Sequence, residues 1–209
     1  MAIGDDFLTI NGFVNPAELE RMVYSKLHDI GIHKEDYPID PFKIIKDEGI
    51  ILHEEKLKDE NIRGMIVYGP NKTGILINAN RSYASRRFIA MHELIHYWFH
   101  PKETQRVCFE EYKIVNKGIE WQANNAAAYA LMPTKIVIEL YDHFFGDIEL
   151  MAEWLKVSTE SLKYRINEIG LKPIENPFAS KQISNRFDTY SDNDLRLLRL
   201  ENNWLYGGI

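Results

Sequence analysis

The feature that most constrains this chain is the run His92-Glu93-Leu94-Ile95-His96, which lies in an apolar stretch without glycine or proline. Residues four apart on an α-helix lie about 40° apart around its axis, so the two histidine rings would point at one spot. Neutral imidazoles bind Zn²⁺ well, and Glu93 would lie on the same side of the helix. The motif therefore predicts a zinc site with Glu93 as the general base of a hydrolase.

A catalytic zinc ion takes a third protein ligand, and several carboxylates follow the motif. Glu103 lies too close along the chain to fold back easily, whereas Glu110 and Glu111 fall in a connection without clear periodicity. Glu120 opens an alanine-rich stretch that would pack closely against the motif helix. Spacing alone leaves this choice open. Such a donor set also accommodates iron, cobalt or manganese, and zinc is the metal that we expect.

Apolar periodicity and chain-breaking residues predict a mainly helical domain. We expect an α+β fold, with a small antiparallel sheet packed on the helices and a hairpin loop at 69–72. No structure is predicted for 102–117. The predicted helices are 16–30, 41–48, 85–99, 119–132, 134–142, 148–156 and 159–169, and the predicted strands are 50–52, 64–68 and 74–78.

Composition restricts the class of protein. The 209 residues suffice for one domain with a core, and no segment approaches the roughly 18 unbroken apolar residues of a membrane span. The formal net charge of −6 disfavours direct nucleic-acid binding, and the arginines within 81–87 are expected to form structural pairs.

The start of the chain lacks the pattern of a secretion signal, and the single cysteine, Cys108, fits a reducing compartment. We therefore expect a cytoplasmic protein.

Segments around the motif form a specific pattern: RRFIAM before it, YWFH after it, EWQAN from Glu120 and ALMP ending at Pro133. Over roughly residues 39–173 the chain resembles the ImmA/IrrE family of zinc metallopeptidases. The resemblance implies a zincin-like fold that binds one zinc ion per chain. It also implies that His92, His96 and Glu120 are the zinc ligands and that Glu93 is catalytic.

Two positions depart from the family pattern. Met91 stands where an alanine usually precedes the first histidine, and Ala126 stands where an aromatic residue is common. Both positions concern packing and pocket shape rather than the ligands. Tyr83 and Tyr97 are the nearest hydroxyl groups that could stabilise an oxyanion, and the sequence assigns that role to neither.

Two further residues are candidates to support the metal site. Asn124 follows Glu120 by one helical turn, so it would either hydrogen-bond a ligand or pack between helices. His100 follows His96 by one turn at the predicted end of the helix. We expect His100 to support the site rather than to bind the metal.

The remaining segments divide the chain into a metallopeptidase domain at 1–173 and an extension at 174–209. The extension carries five aromatic residues and is expected to dock on the domain or on another subunit, with a short helix at 192–202. One hypothesis is that it covers the active-site cleft. The helix pair 148–156 and 159–169 has the outline of a helix-turn-helix, but its apolar positions predict a packing role.

The resemblance implies peptide-bond hydrolysis, with a helix-turn-helix repressor of a phage or mobile element as the substrate. Cleavage would relieve transcriptional repression. The alternative is a regulator that uses the metallopeptidase fold to bind a partner or DNA without cutting it. The intact set of predicted ligands and the acidic charge argue against this alternative.

Overall fold

The structure is a computed structural model that describes residues 14–100, the backbone of 106–109 and of 117, and residues 118–172. The expectations for the start of the chain, for 174–209 and for Glu103, Glu110 and Glu111 lie outside these residues, as does the side chain of Cys108. In the described ranges, the helices are α1 (Pro16–Asp29), α2 (Pro41–Asp47), α3 (Tyr83–Phe99), α4 (Lys117–Leu131), α5 (Thr134–His143), α6 (Ile148–Leu155) and α7 (Thr159–Ile169), and the strands are β1 (Ile51–Glu55), β2 (Ile62–Tyr68), β3 (Thr73–Asn78) and β4 (Arg106–Phe109).

Local signals at the helix ends explain where the helices begin. Asn15 caps α1, because its side-chain oxygen accepts a hydrogen bond of 2.9 Å from the backbone N–H of Glu18, and Pro16 is the first helical residue. Ser82 caps α3 by accepting from the N–H of Ser85. The seven helices predicted within the described residues are confirmed, with ends that differ from the prediction by at most a few residues.

The four-stranded sheet has the order β1-β3-β2-β4. The predicted hairpin is confirmed, because β2 pairs antiparallel with β3 and Tyr68 lies opposite Thr73. The α+β class is also confirmed, but the sheet is mixed rather than antiparallel, because β1 pairs parallel with β3. The connection at 56–61 does not place β2 beside β1. Strand β3, which follows β2 along the chain, lies between β1 and β2 and pairs with both.

Strand β4 lies in the segment for which no structure is predicted. It pairs antiparallel with β2, with Val107 opposite Met65 and Arg106 opposite Ile66. The free edge of β2 supplies the hydrogen-bond partners for this strand, so its formation depends on tertiary context rather than on a local sequence period.

Helix α3 runs through the centre of the molecule, between the sheet and α4. The residues from Ile89 to His96 are all buried, and this helix contacts β2, β3 and α4. The alanines on α4 allow close approach, since Ala123, Ala126 and Ala127 are fully buried. Both helices of the predicted site are thus held on a rigid core. No helix in the described ranges is long and apolar enough to cross a membrane.

The arginines before the motif form structural pairs, as predicted. Arg86 forms an ion pair with Glu54, and Arg81 donates to the backbone carbonyl of Glu60. Arg87 is 1% exposed and donates to the backbone carbonyls at the end of α6 and before α2. These contacts favour a structural use of the region over a nucleic-acid surface.

The late helix pair α6 and α7 packs into the core, which confirms the predicted packing role. Met151, Leu155, Leu162 and Ile166 are all buried. Arg165, one of the few cations of α7, is also buried, and its Nη2 lies 2.6 Å from Oε1 of Glu20 on α1. Helix α7 therefore does not present this arginine to DNA.

Candidate metal centre

Helix α3 and its C-cap residue place three histidines in a row, at intervals of four residues, along the side that faces α4. His92, His96 and His100 are all buried, and the centroids of neighbouring rings are 4.7 and 4.8 Å apart. The Nε2 atoms of His92 and His96 lie 3.0 Å from each other. The first two rings therefore converge on one point, as the spacing of the motif predicts.

Glu120 reaches the same point from the first turn of α4. Its carboxylate oxygens lie 3.3 Å from Nε2 of His92 and 3.4 Å from Nε2 of His96. One potential ligand atom from each of the three residues lies within 4.8 Å of the others. The structure thus brings together the two histidines of the motif and the one downstream carboxylate that the resemblance implies.

The charge of Glu120 suits a cation. Burial by itself raises the pKa of the Glu120 carboxyl, but hydrogen bonds to His92 and His96 and their charges outweigh burial and hold the pKa well below its ordinary range. Glu120 is therefore a carboxylate at neutral pH. Two imidazole nitrogens and one carboxylate match the protein ligands of a catalytic zinc site, so the residues present fit a zinc ion.

Polar residues contact the Nδ1 side of the two motif histidine rings, away from the centre. Nδ1 of His92 lies 3.1 Å from Oδ1 of Asn124, and Nδ1 of His96 lies 2.9 Å from Nδ1 of His100. Asn124 thus hydrogen-bonds the ring of His92, one of the two alternatives that the sequence leaves open, and His100 contacts the ring of His96. The amide oxygen of Gln122 lies 3.2 Å from Nε2 of His100, and the sequence reasoning missed this residue.

Glu93, the predicted base, is 1% exposed and lies against β2. A β-carbon added to Gly64 of β2 would lie 3.5 Å from Oε1 of Glu93 and 2.5 Å from Cγ2 of Ile89. The missing side chain of Gly64 therefore lets the motif helix approach the sheet closely beside Glu93.

Other residues singled out in the sequence lie apart from this centre or serve its packing. Met91 and Ala126, the two departures from the family pattern, are fully buried. Tyr83 is about half exposed and Tyr97 is partly buried, and the structure assigns the oxyanion role to neither. The four other histidines are exposed side chains: His28, His33, His53 and His143.

Comparison with known proteins agrees with this architecture. The fold resembles that of a solved Mycobacterium tuberculosis transcriptional regulator, with a TM-score of 0.53 and 13% sequence identity. The match covers 76% of this chain and 48% of the regulator, so this chain aligns with about half of that protein's length. No curated protein is significantly similar to the sequence. The family profile described as the IrrE N-terminal-like domain, a peptidase family, matches residues 45–167, which is more than half of the chain. The chain therefore belongs to the IrrE N-terminal-like domain family of peptidases.

Proposed function

We propose that this chain is a zinc-dependent metallo-endopeptidase. In this proposal, His92, His96 and Glu120 hold one zinc ion and Glu93 is the general base. The observation that carries the proposal is the convergence of the three ligand atoms within 4.8 Å. The buried carboxylate of Glu93 follows His92 directly in the sequence. Buried carboxylates beside paired histidines are costly, so a catalytic metal site gives this arrangement a physical reason.

Each side chain has a definite part in this chemistry. A bound zinc ion would act as a Lewis acid, lowering the pKa of water to about 7 and polarising a carbonyl group. Asn124 accepts the Nδ1 proton of His92, which leaves the Nε2 lone pair of that ring directed at the centre. Glu93 would take a proton from the attacking water and return it to the leaving amine.

We propose a helix-turn-helix repressor of a phage or mobile element as the substrate. This choice rests on the resemblance to the ImmA/IrrE family, and the structural similarity to a transcriptional regulator supports a regulatory setting. The net charge of −6 favours a protein partner over DNA. We also propose that the protein acts in the cytoplasm and that the peptidase domain spans 1–173, with 174–209 as a docked extension.

A comparison of the wild-type chain with Glu93→Gln tests the catalytic proposal. Both proteins, loaded with zinc, are incubated with a proteome-derived peptide library and with a purified phage-type helix-turn-helix repressor, and new amino termini are identified by mass spectrometry. We expect new termini with the wild type and at least about a hundredfold fewer with Glu93→Gln, because the base is missing.

The Glu93→Gln variant is a close control, because it keeps the size of the side chain and leaves all three proposed ligands in place. Equal cleavage by the two proteins would contradict the role of Glu93. If the zinc-loaded wild type cut neither the peptides nor the repressor, a regulator that binds without cutting would replace the peptidase proposal.

A further inference from the structure

His100 and Gln122 form a buried polar pair directly behind the proposed metal centre. Nε2 of His100 lies 3.2 Å from the amide oxygen of Gln122, and the two residues are 4% and 3% exposed. Neither is one of the proposed ligands. Burying two polar side chains in a helical interface costs free energy unless the hydrogen bonds between them are satisfied, so their placement needs a physical reason.

The pair continues a hydrogen-bonded relay from His96, whose Nε2 faces the centre beside Glu120. Nδ1 of His100 lies 2.9 Å from Nδ1 of His96, and Nε2 of His96 lies 3.4 Å from Oε1 of Glu120. The relay thus runs from His96 on α3 through His100, the C-cap residue of that helix, to Gln122 on α4. One end is the amide of Gln122, and the other end is the proposed metal position.

The amide oxygen of Gln122 fixes the direction of every proton in this relay. A carbonyl oxygen only accepts, so Nε2 of His100 must donate to it. The neutral ring of His100 then has a lone pair on Nδ1, which accepts the Nδ1 proton of His96. As a result, Nε2 of His96 keeps its lone pair and directs it at the centre.

The opposite direction would prevent metal binding. If the amide group of Gln122 were turned around, its NH₂ would donate to Nε2 of His100 and each proton along the relay would move to the other nitrogen. Nε2 of His96 would then carry a proton in place of its lone pair. An acceptor at position 122 therefore favours the tautomer of His96 whose Nε2 can bind a metal ion.

We propose that His100 and Gln122 are positioning residues that hold His96 in the tautomer whose Nε2 binds the metal ion. The inference rests on the proposed metal site and adds a determinant of its affinity. Partners of this kind typically change metal affinity by about 10- to 100-fold. Gln122 acts through His100 and His96, and it touches neither the proposed metal nor the substrate.

Zinc affinity of the full chain, measured by competition with a chromophoric chelator, tests the relay. Gln122→Met removes the acceptor at similar side-chain length, and His100→Phe keeps a ring without nitrogens. Both variants should bind zinc about 10- to 100-fold more weakly than the wild type. Gln122→Glu keeps an oxygen that can only accept, so it should bind zinc at least as tightly as the wild type.

Visible absorption of the Co²⁺-substituted proteins gives a second readout. The d–d bands should change in Gln122→Met and return to the wild-type form in Gln122→Glu, and thermal melting of the metal-free proteins checks that each variant folds. Zinc affinity within twofold of wild type in both Gln122→Met and His100→Phe would overturn the relay. Equal losses in Gln122→Met and Gln122→Glu would also overturn it. A wild-type chain that binds no zinc would instead overturn the metal site on which the relay rests.

Discussion

The guanidinium of Arg87 donates a hydrogen bond of 2.7 Å to the backbone carbonyl of Leu155 and so joins the motif helix to the end of α6. The same group donates to the carbonyls of Lys156 and Ile39. One buried cation thereby satisfies acceptors from two segments that are distant in sequence. This link fixes α3, and with it the histidines of the proposed site, relative to the later helices.

Replacing Arg87 with methionine should destabilise the fold by roughly 2–4 kcal/mol, because buried carbonyls lose their donor. The neighbouring Arg86 provides the control, since its ion pair with Glu54 is partly exposed and Arg86→Met should cost at most about 1 kcal/mol. Urea unfolding followed by circular dichroism measures both variants. Equal losses of stability in Arg87→Met and Arg86→Met would contradict the larger contribution expected from the buried hydrogen bonds to carbonyl groups.

Gly64 allows the close approach between β2 and the motif helix. The Gly64→Ala variant adds a β-carbon that would lie 2.5 Å from Cγ2 of Ile89 and 3.0 Å from the carbonyl oxygen of Leu76. We expect a loss of about 1–3 kcal/mol in stability from this overpacking. Because Oε1 of Glu93 lies beside the same position, the turnover of any peptide substrate should fall as well.

Gly74→Ala is the matched control for this prediction, since among the described residues a β-carbon at Gly74 of β3 would meet one backbone oxygen, at an ordinary distance of 3.7 Å. Thermal melting compares the two variants directly. A Gly64→Ala protein as stable as Gly74→Ala would contradict the tight packing between β2 and α3.

Glu20 predicts a pH-dependent contribution to stability. Its Oε1 accepts from Tyr24, from the hydroxyl of Thr134 at 2.6 Å and from Arg165 at 2.6 Å. Burial raises the pKa of the Glu20 carboxyl, but the hydrogen bonds from Thr134 and Tyr24 and the charge of Arg165 outweigh burial and lower the pKa. A carboxyl whose pKa is lower in the folded state stabilises the fold above its unfolded pKa of about 4.3.

The Glu20→Gln variant should therefore be about 1–3 kcal/mol less stable than the wild type at pH 7, because the ionised acceptor is lost. This difference should shrink as the pH falls below about 4.3 and through the lower folded pKa, because the wild-type carboxyl is then protonated. Glu18→Gln on the same helix is the control, as Glu18 lies 4.0 Å from its exposed partner Arg21. Urea unfolding across the pH range measures the free energy of unfolding of each protein. A Glu20→Gln deficit in this free energy that stayed constant with pH would contradict the account.

Much of the fold follows from local signals in the sequence. The Asn15-Pro16 pair sets the start of α1, and the unbroken apolar run predicts the buried motif helix. The parallel pairing of β1 with β3 could not be predicted from local signals, because it depends on β3 lying between β1 and β2 in the folded sheet. Strand β4 could not be predicted either, since it forms on the edge of β2 without a sequence period of its own.

The candidate site divides in a similar way. Helical spacing predicts that His92 and His96 converge, whereas Glu120 is favoured over other carboxylates only through the family resemblance. Spacing also places Asn124 one turn after Glu120, but it leaves open whether Asn124 contacts a ligand or packs between helices. Gln122 lies about 200° around an ideal helix from Glu120, so spacing places it away from the site, and only the packing of α4 on α3 brings it to His100.

The most direct test of the metal site is the zinc content of the dialysed 209-residue chain, measured by elemental analysis beside His96→Ala and Glu120→Ala. His143→Ala, which changes an exposed histidine, serves as the control. We expect about one zinc ion per chain in the wild type and in His143→Ala, and a loss of zinc in the other two variants, because each lacks one of three ligands. A wild-type chain without zinc after zinc is supplied, or ligand variants that hold as much zinc as the wild type, would contradict the proposed site.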